Sequence, residues 1–251
     1  MKFFNPNTEL QESLENKCRP MIRSMINISV HTITWISRNR RMKPKGNDRV
    51  KLNLGSGLKV SAGWINIDGS LNALISSWPK IIQKVLYKMS GSRQNYSFQE
   101  YHAILKNHHF VCYNLAFGVP LVDNCADFIY CSHLLEHLTK QQGINLTREM
   151  YRVLREHGTA RIVVPDLARA ISLYCSGEKE EALKMFYSDQ DGSNDFARHK
   201  YMYDFEILRS LLTDAGFTQV THCQYRQGKT PDIDFLDSRP QSSLFVEAVK
   251  E

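Results

Sequence analysis

An apolar run, Val50-Lys51-Leu52-Asn53-Leu54, breaks onto Gly55-Ser56-Gly57, and a second run, Trp64-Ile65-Asn66-Ile67, ends on Asp68. This pairing constrains the fold more than any other stretch of the chain. A first strand delivers a glycine turn whose backbone can approach a ligand closely. An acid on the second strand can accept hydrogen bonds from ribose hydroxyls. Open α/β sheets that bind nucleotides are built this way.

The spacing narrows the ligand. A dinucleotide fingerprint places a third glycine at position 60 and its acid about 20 residues further on. Here Lys59-Val60 stand at that place, and Asp68 follows Gly57 by 68 − 57 = 11 residues. No Gly-Lys-Ser/Thr follows, so a phosphate-cradling loop is excluded as well. A pocket for a nucleoside without a pyrophosphate remains, and S-adenosyl-L-methionine has that chemistry. A chance glycine turn fits this segment taken alone.

Bulk properties bound the organisation. The 251 residues suffice for one α/β domain plus an extension, burying roughly 70–75% of the unfolded surface. Residues 1–49 hold 10 Lys/Arg and 4 Asp/Glu, while residues 50–251 hold 22 of each, so the whole net charge of +6 lies in the extension. The domain therefore carries no nucleic-acid signature. Residues 1–48 read as a basic helical extension and linker, and residues 49–251 as the domain. Within the extension, Met21, Met25, Ile28 and Trp35 fall near one helical face, followed by Arg38, Arg40 and Arg41. Residues 21–41 fit weak association with an anionic membrane surface, and equally a helix packed on the domain or a solvated tail. The six cysteines form no Cys-x-x-Cys pair, as expected of reduced thiols in a cytoplasmic protein. No apolar run approaches the ~20 residues that span a bilayer, and no secretory signal is visible.

Beyond the opening motif, strands are expected at 110–113, 126–131, 160–164, 217–225 and 244–249. Helices are expected within 71–109, at 140–156 and after Asp204, a good N-cap. The alternation predicts a doubly wound, Rossmann-like, mostly parallel seven-stranded sheet with an antiparallel C-terminal strand. In such sheets ligands bind beyond the carboxyl ends of the strands. That gathers Gly55–Gly57, Asp68, Asn114, Ser132, His133 and Asp166 around one crevice.

The chain resembles the class I S-adenosylmethionine-dependent methyltransferases, and most closely a type-11-like subgroup of small bacterial members. LNLGSG (52–57), GWINID (63–68), DFIYCSHLLEHL (127–138), REMYRVLREHGTARIVVPD (148–166), HKYMYD (199–204) and PDIDFLDSRPQSSLFVEAVK (231–250) carry the resemblance, in the expected order. It implies that Gly55, Ser56 and Gly57 pass under the methionine part of the cofactor and that Asp68 holds the ribose. It places Asn114 where the adenine usually meets an acid, and Asn53 and Ser132 beside the cofactor. Residues 71–109 exceed the usual spacing between strands two and three and look like a cap or substrate-side insertion. The resemblance also suggests a small-molecule or saccharide acceptor.

His133-Leu134-Leu135-Glu136-His137 also spells the inverted zinc-protease signature. A zinc site would need both histidines on one helical face, a third ligand and Glu136 over a bound water. The motif instead begins right after a strand, at the nucleoside edge of the sheet, and is read without a metal. For methyl transfer a base is needed only if the acceptor loses a proton. His133, His137, Asp166 and His199 are candidates, with His133 preferred because it sits at the strand-four edge, facing the methyl group. His133 with Glu136 as a loop-ordering pair, and Asp166 as a helix cap, are the plainer readings. A binding module that keeps the fold and docks a partner or membrane through the basic N-terminus is the competing function.

Overall fold

A computed structural model describes residues 32, 34–44, 49–89, 91–187 and 198–251. Seven strands form one sheet: β1 Lys51–Leu54, β2 Trp64–Asp68, β3 His109–Cys112, β4 Ala126–Ser132, β5 Leu154–Pro165, β6 Gln219–Cys223 and β7 Ser243–Val249. Their order is β3-β2-β1-β4-β5-β7-β6. All neighbours are parallel except β7, which runs antiparallel to both β5 and β6. This is the doubly wound, Rossmann-like sheet with an antiparallel C-terminal strand that the alternation of elements predicts. The order reverses between β1 and β4, the point at which open α/β sheets bind ligands.

Side chains alternate across the sheet with a period of two. On one face Leu52, Leu54, Ile67, Ile129, Ile162 and Val246 form the main core with Leu146 and Met150 of helix α4 (Lys140–Val153) and Leu208 and Leu212 of α7 (Phe205–Asp214). The other face carries Asn53, Asn66, Tyr130, Arg161 and Glu247 in adjacent registers, beside the apolar cluster of Trp64, Val163, Leu236 and Phe245. Burying so many polar groups requires that each be answered.

Arg161 shows how. Its side chain is fully buried, with Asp237 at 2.6 Å and Glu247 at 3.3 Å, and it donates to the carbonyls of Gln224 and Gln227. Glu247 accepts from the backbone of Lys229 and Thr230, and Asp237 from that of Arg226. Asp232 accepts from Trp64 and Lys51 at the same segment's far end. These bonds strap residues 224–239, including the short helix α8 (Ile233–Leu236), across the sheet.

The stretch 71–109, read from the sequence as an insertion, is largely helical. It comprises α1 (Leu71–Ile75), α2 (Lys80–Met89), a 3-10 turn at Gly91–Gln94 and α3 (Phe98–Asn107), the last started by a Ser97/Glu100 capping box. The helical stripe of Ile81, Ile82 and Val85 in α2 is exposed. Gln83 is buried instead, because its amide satisfies the carbonyls of Ile75 and Ser76 at the end of α1.

Helix α4 stops at Val153 and β5 begins at once, three residues short of the expected end. Lys250 Nζ donates to the carbonyls of Tyr151 and Leu154, which closes the helix end from the last strand. The buried stripe of α4 is Gly143, Leu146, Thr147, Met150 and Val153. Helices α5 (Leu167–Cys175) and α6 (Lys179–Phe186) follow β5.

Most of the N-terminal extension lies outside the described residues, including Met21, Met25 and Ile28. Its end is attached to the domain. Met42 N donates to Pro120 O and Val122 N to Met42 O, Tyr113 Oη donates to Arg38 O, and Arg41 lies 3.7 Å from Glu149. Trp35, stacked under the Arg38 guanidinium, stays 56% exposed.

Candidate functional site

The carboxyl ends of β1 and β4 open onto a cavity of about 460 Å³, within the usual size of small-ligand pockets. Gly55 and Gly57 both have positive φ, +67° and +51°, the region that side chains with a Cβ resist. A Cβ on Gly55 would stand 3.0 Å from Leu134 Cβ, whereas Gly57 meets nothing within 4 Å and faces open space. The turn is tied down from β2. Asp68 accepts from Gly57 N at 2.8 Å and from Ser70 N at 2.7 Å, so one carboxylate bridges the glycine turn and the start of α1. Asn53, 2% exposed, donates to Lys59 O and to Asn66 Oδ1 and so holds the far end of the loop.

Of the residues singled out from the sequence, Asn53, Gly55, Ser56, Gly57, Ser132 and His133 line this cavity together. Asp68 adjoins it through Gly57 but is not in its lining. Asn114 and Asp166 do not line it either. Asn114 accepts from Ala116 N and caps a 3-10 turn. Asp166 accepts from Ala168 N and Arg169 N and caps α5. Asp166 thus has the plainer of its two expected roles.

Sequence reasoning did not single out the rest of the wall. The insertion contributes Asn95 and Tyr96, and the strapped C-terminal segment contributes Leu236, Ser238 and Arg239. Lys59, from the glycine loop, sits with its ammonium 4.1 Å over the Phe235 ring. Lys59 and Arg239 are cations, and no Asp or Glu lines the cavity among the described residues. Tyr130 also lines it, and burial pushes its phenol above the ordinary value, so it stays protonated.

His133 adopts φ +50°, uncommon for a residue with a side chain. Its backbone N donates to Val163 O at 2.8 Å. The ring is held at both nitrogens: Nδ1 lies 3.0 Å from Glu136 Oε1 and Nε2 lies 3.2 Å from Ser243 Oγ. With Glu136 ionised, Nδ1 carries the proton and Nε2 keeps its lone pair.

Glu136 is completely buried, and its second oxygen, Oε2, has no hydrogen-bond partner among the described residues. Lys200 N and Tyr201 N donate to its carbonyl, tying residues 198–203 to the loop after β4. His199, one of the candidate bases, packs its ring 5.1 Å from that of His137 and is not in the cavity wall. Burial lowers the pKa of His199.

Fold and site together define an open α/β protein with a pocket at the sheet's switch point, bounded by a glycine turn and a β2 carboxylate. The family model described as a methyltransferase domain matches residues 82–162, which hold β3, β4, α4 and most of β5. Among solved structures, the S-adenosylmethionine-dependent methyltransferase SibL in its apo form is 16% identical with a TM-score of 0.46; the match covers 80% of this chain and 50% of that one. The chain thus spans half of that protein's length. A S-adenosylmethionine-dependent methyltransferase from Thermotoga maritima is 14% identical over 93% of this chain and 98% of its own, with a TM-score of 0.45. One from Aquifex aeolicus is 13% identical over 99% and 100%, with a TM-score of 0.44. No curated protein sequence matches the chain. No helix among the described residues is long and apolar enough to cross a membrane.

Proposed function

We propose that the protein is a S-adenosyl-L-methionine-dependent methyltransferase acting on a small-molecule or saccharide acceptor. The observation that carries the reading is the cavity over the positive-φ Gly55-Ser56-Gly57 turn, with the Asp68 carboxylate held at the turn's edge. The residues fit the cofactor. The open space over Gly57 admits a ligand against the backbone; Ser132 in the lining and Asp68, which adjoins it through Gly57, would supply polar contacts for a nucleoside. Lys59 and Arg239 suit anionic groups, the cofactor's carboxylate among them. The saccharide acceptor rests on the sequence motifs; the cavity adds to it only these two cations. When bound, S-adenosylmethionine supplies a methyl group on a sulfonium that is its own leaving group.

The chain's part is positioning and, for a hydroxyl acceptor, proton removal. Glu136 fixes the His133 ring through Nδ1, orients Nε2 and stabilises the positive charge when Nε2 takes a proton. Ser243 Oγ occupies that nitrogen at 3.2 Å and can yield its place to an acceptor hydroxyl. Asp166, bonded to two backbone amides at the start of α5, is the weaker candidate for a catalytic role.

S-adenosylhomocysteine release, followed over a panel of hydroxylated and acidic saccharides, tests the function. His133→Ala should lose at least 100-fold in turnover while keeping cofactor affinity within about threefold. Full turnover in that variant removes His133 as the base. No release with any acceptor, together with no cofactor binding, favours the docking-module reading.

A further inference from the structure

Sequence spacing offered His133 and His137 as a metal pair lacking a third ligand. Folding changes that set. His133 has both ring nitrogens engaged, by Glu136 and Ser243, and leaves the set. His199, 62 residues beyond His137 (199 − 137), enters it from the segment tied to the Glu136 carbonyl. One carboxylate oxygen of Glu136 and one ring nitrogen each of His137 and His199 all lie within 4.8 Å of one another.

Three features distinguish this cluster from a chance meeting of polar side chains. Glu136 is fully buried and its Oε2 has no hydrogen-bond partner among the described residues, an orphan acceptor that costs free energy unless something answers it. Both histidines are oriented from behind: Nδ1 of His137 faces Arg198 O at 3.1 Å and Nδ1 of His199 faces Met185 O at 2.8 Å. A carbonyl on Nδ1 fixes the proton there and leaves Nε2 as the lone pair, the backing that metal-ligating histidines receive. His137 Nε2 already lies 4.0 Å from Glu136 Oε1. Ligand atoms around a tetrahedral zinc stand roughly 3.3 Å apart, so small side-chain rotations close the set.

We infer that Glu136, His137 and His199 form a binding site for a divalent transition-metal cation of the zinc type. Two imidazoles and one carboxylate suit zinc and its first-row neighbours and are a poor match for calcium or magnesium, which take oxygen ligands. Three protein ligands leave a coordination position open, as catalytic rather than structural zinc sites do. The site shares Glu136 with His133, which lines the cavity. It stands independently of the methyl-transfer reading.

The test uses the full chain, purified without a polyhistidine tag and stripped with a chelator. Zinc is titrated by calorimetry, and cobalt(II) by its visible ligand-field absorption. About one zinc per chain is expected, with His137→Gln and His199→Gln each weakening binding at least 10-fold and altering the cobalt spectrum. His157→Gln, an exposed control, should do neither. Less than about 0.1 zinc per wild-type chain overturns the site whatever the variants do. So does binding that both ligand variants leave unchanged. Neither readout depends on cofactor or acceptor, so failure here leaves the methyltransferase proposal standing.

Discussion

At the scale of single residues, the most consequential side chains are those that hold backbone in place for others. Asp237 and Arg161 have fully buried side chains 2.6 Å apart, and Asp237 also anchors Arg226 N. Removing one partner leaves an uncompensated buried charge. Asp237→Ala should therefore cost about 3–5 kcal/mol in urea unfolding; a cost below about 1 kcal/mol would mean that the strap over the sheet does not depend on the pair. The cavity half written by local motif was legible in sequence. Gly55, Ser56, Gly57, Ser132 and His133 follow strand ends, and strand ends are where open sheets bind ligands. Arg239, Lys59 and Tyr96 were not legible. Arg239 and Tyr96 reach the cavity through packing of residues 224–239 and of the insertion, and Lys59, though in the glycine loop, is marked there by nothing but its sequence position. The same holds for His199, whose relation to Glu136 appears only once the backbone of 200–201 bonds to the Glu136 carbonyl.

Among elements, most of the strands could be read because they are short apolar runs closed by a turn signal, and the start of α7 because Asp204 caps it as its type suggests. Helix ends were harder. The stop of α4 at Val153 is set by Lys250, the residue after β7, through a contact across 96 residues that local periodicity does not contain. Helix α4 also carries Glu149, which joins it to the loop between β3 and β4 and to Arg41. Burial would raise the Glu149 pKa, but hydrogen bonds from Arg152 and Val119 N outweigh it and hold the carboxyl below its ordinary 4.5. A depressed carboxylate contributes stability that is present above the unfolded pKa and is lost as pH falls through the folded one. Urea midpoints measured from pH 6 down to pH 3 should fall for the wild type from about pH 4.5 downward. They should fall less steeply for Glu149→Gln. Parallel curves would assign the acid sensitivity to other groups.

For the whole molecule, the sheet order and the insertion converge on one pocket. The glycine turn forms its floor, the β4 loop one wall, and the insertion and C-terminal strap the others. The C-terminal wall is held to the sheet by long-range bonds from Arg161 and Glu247, so a ligand that fills the pocket should stabilise the domain. Thermal unfolding with S-adenosylmethionine, S-adenosylhomocysteine and NAD, on the wild type and Asp68→Ala, tests this most directly. A ligand at 100 times its dissociation constant adds about 2.7 kcal/mol, which raises the midpoint by roughly 5–10 °C at this size. That rise is expected with the two adenosyl ligands and not with NAD. In Asp68→Ala it should be largely lost, through a binding deficit of more than about 1 kcal/mol, since the variant removes a charged acceptor and loosens Gly57. No shift at millimolar ligand, or an equal shift in the variant, would contradict the assignment of this cavity to the cofactor.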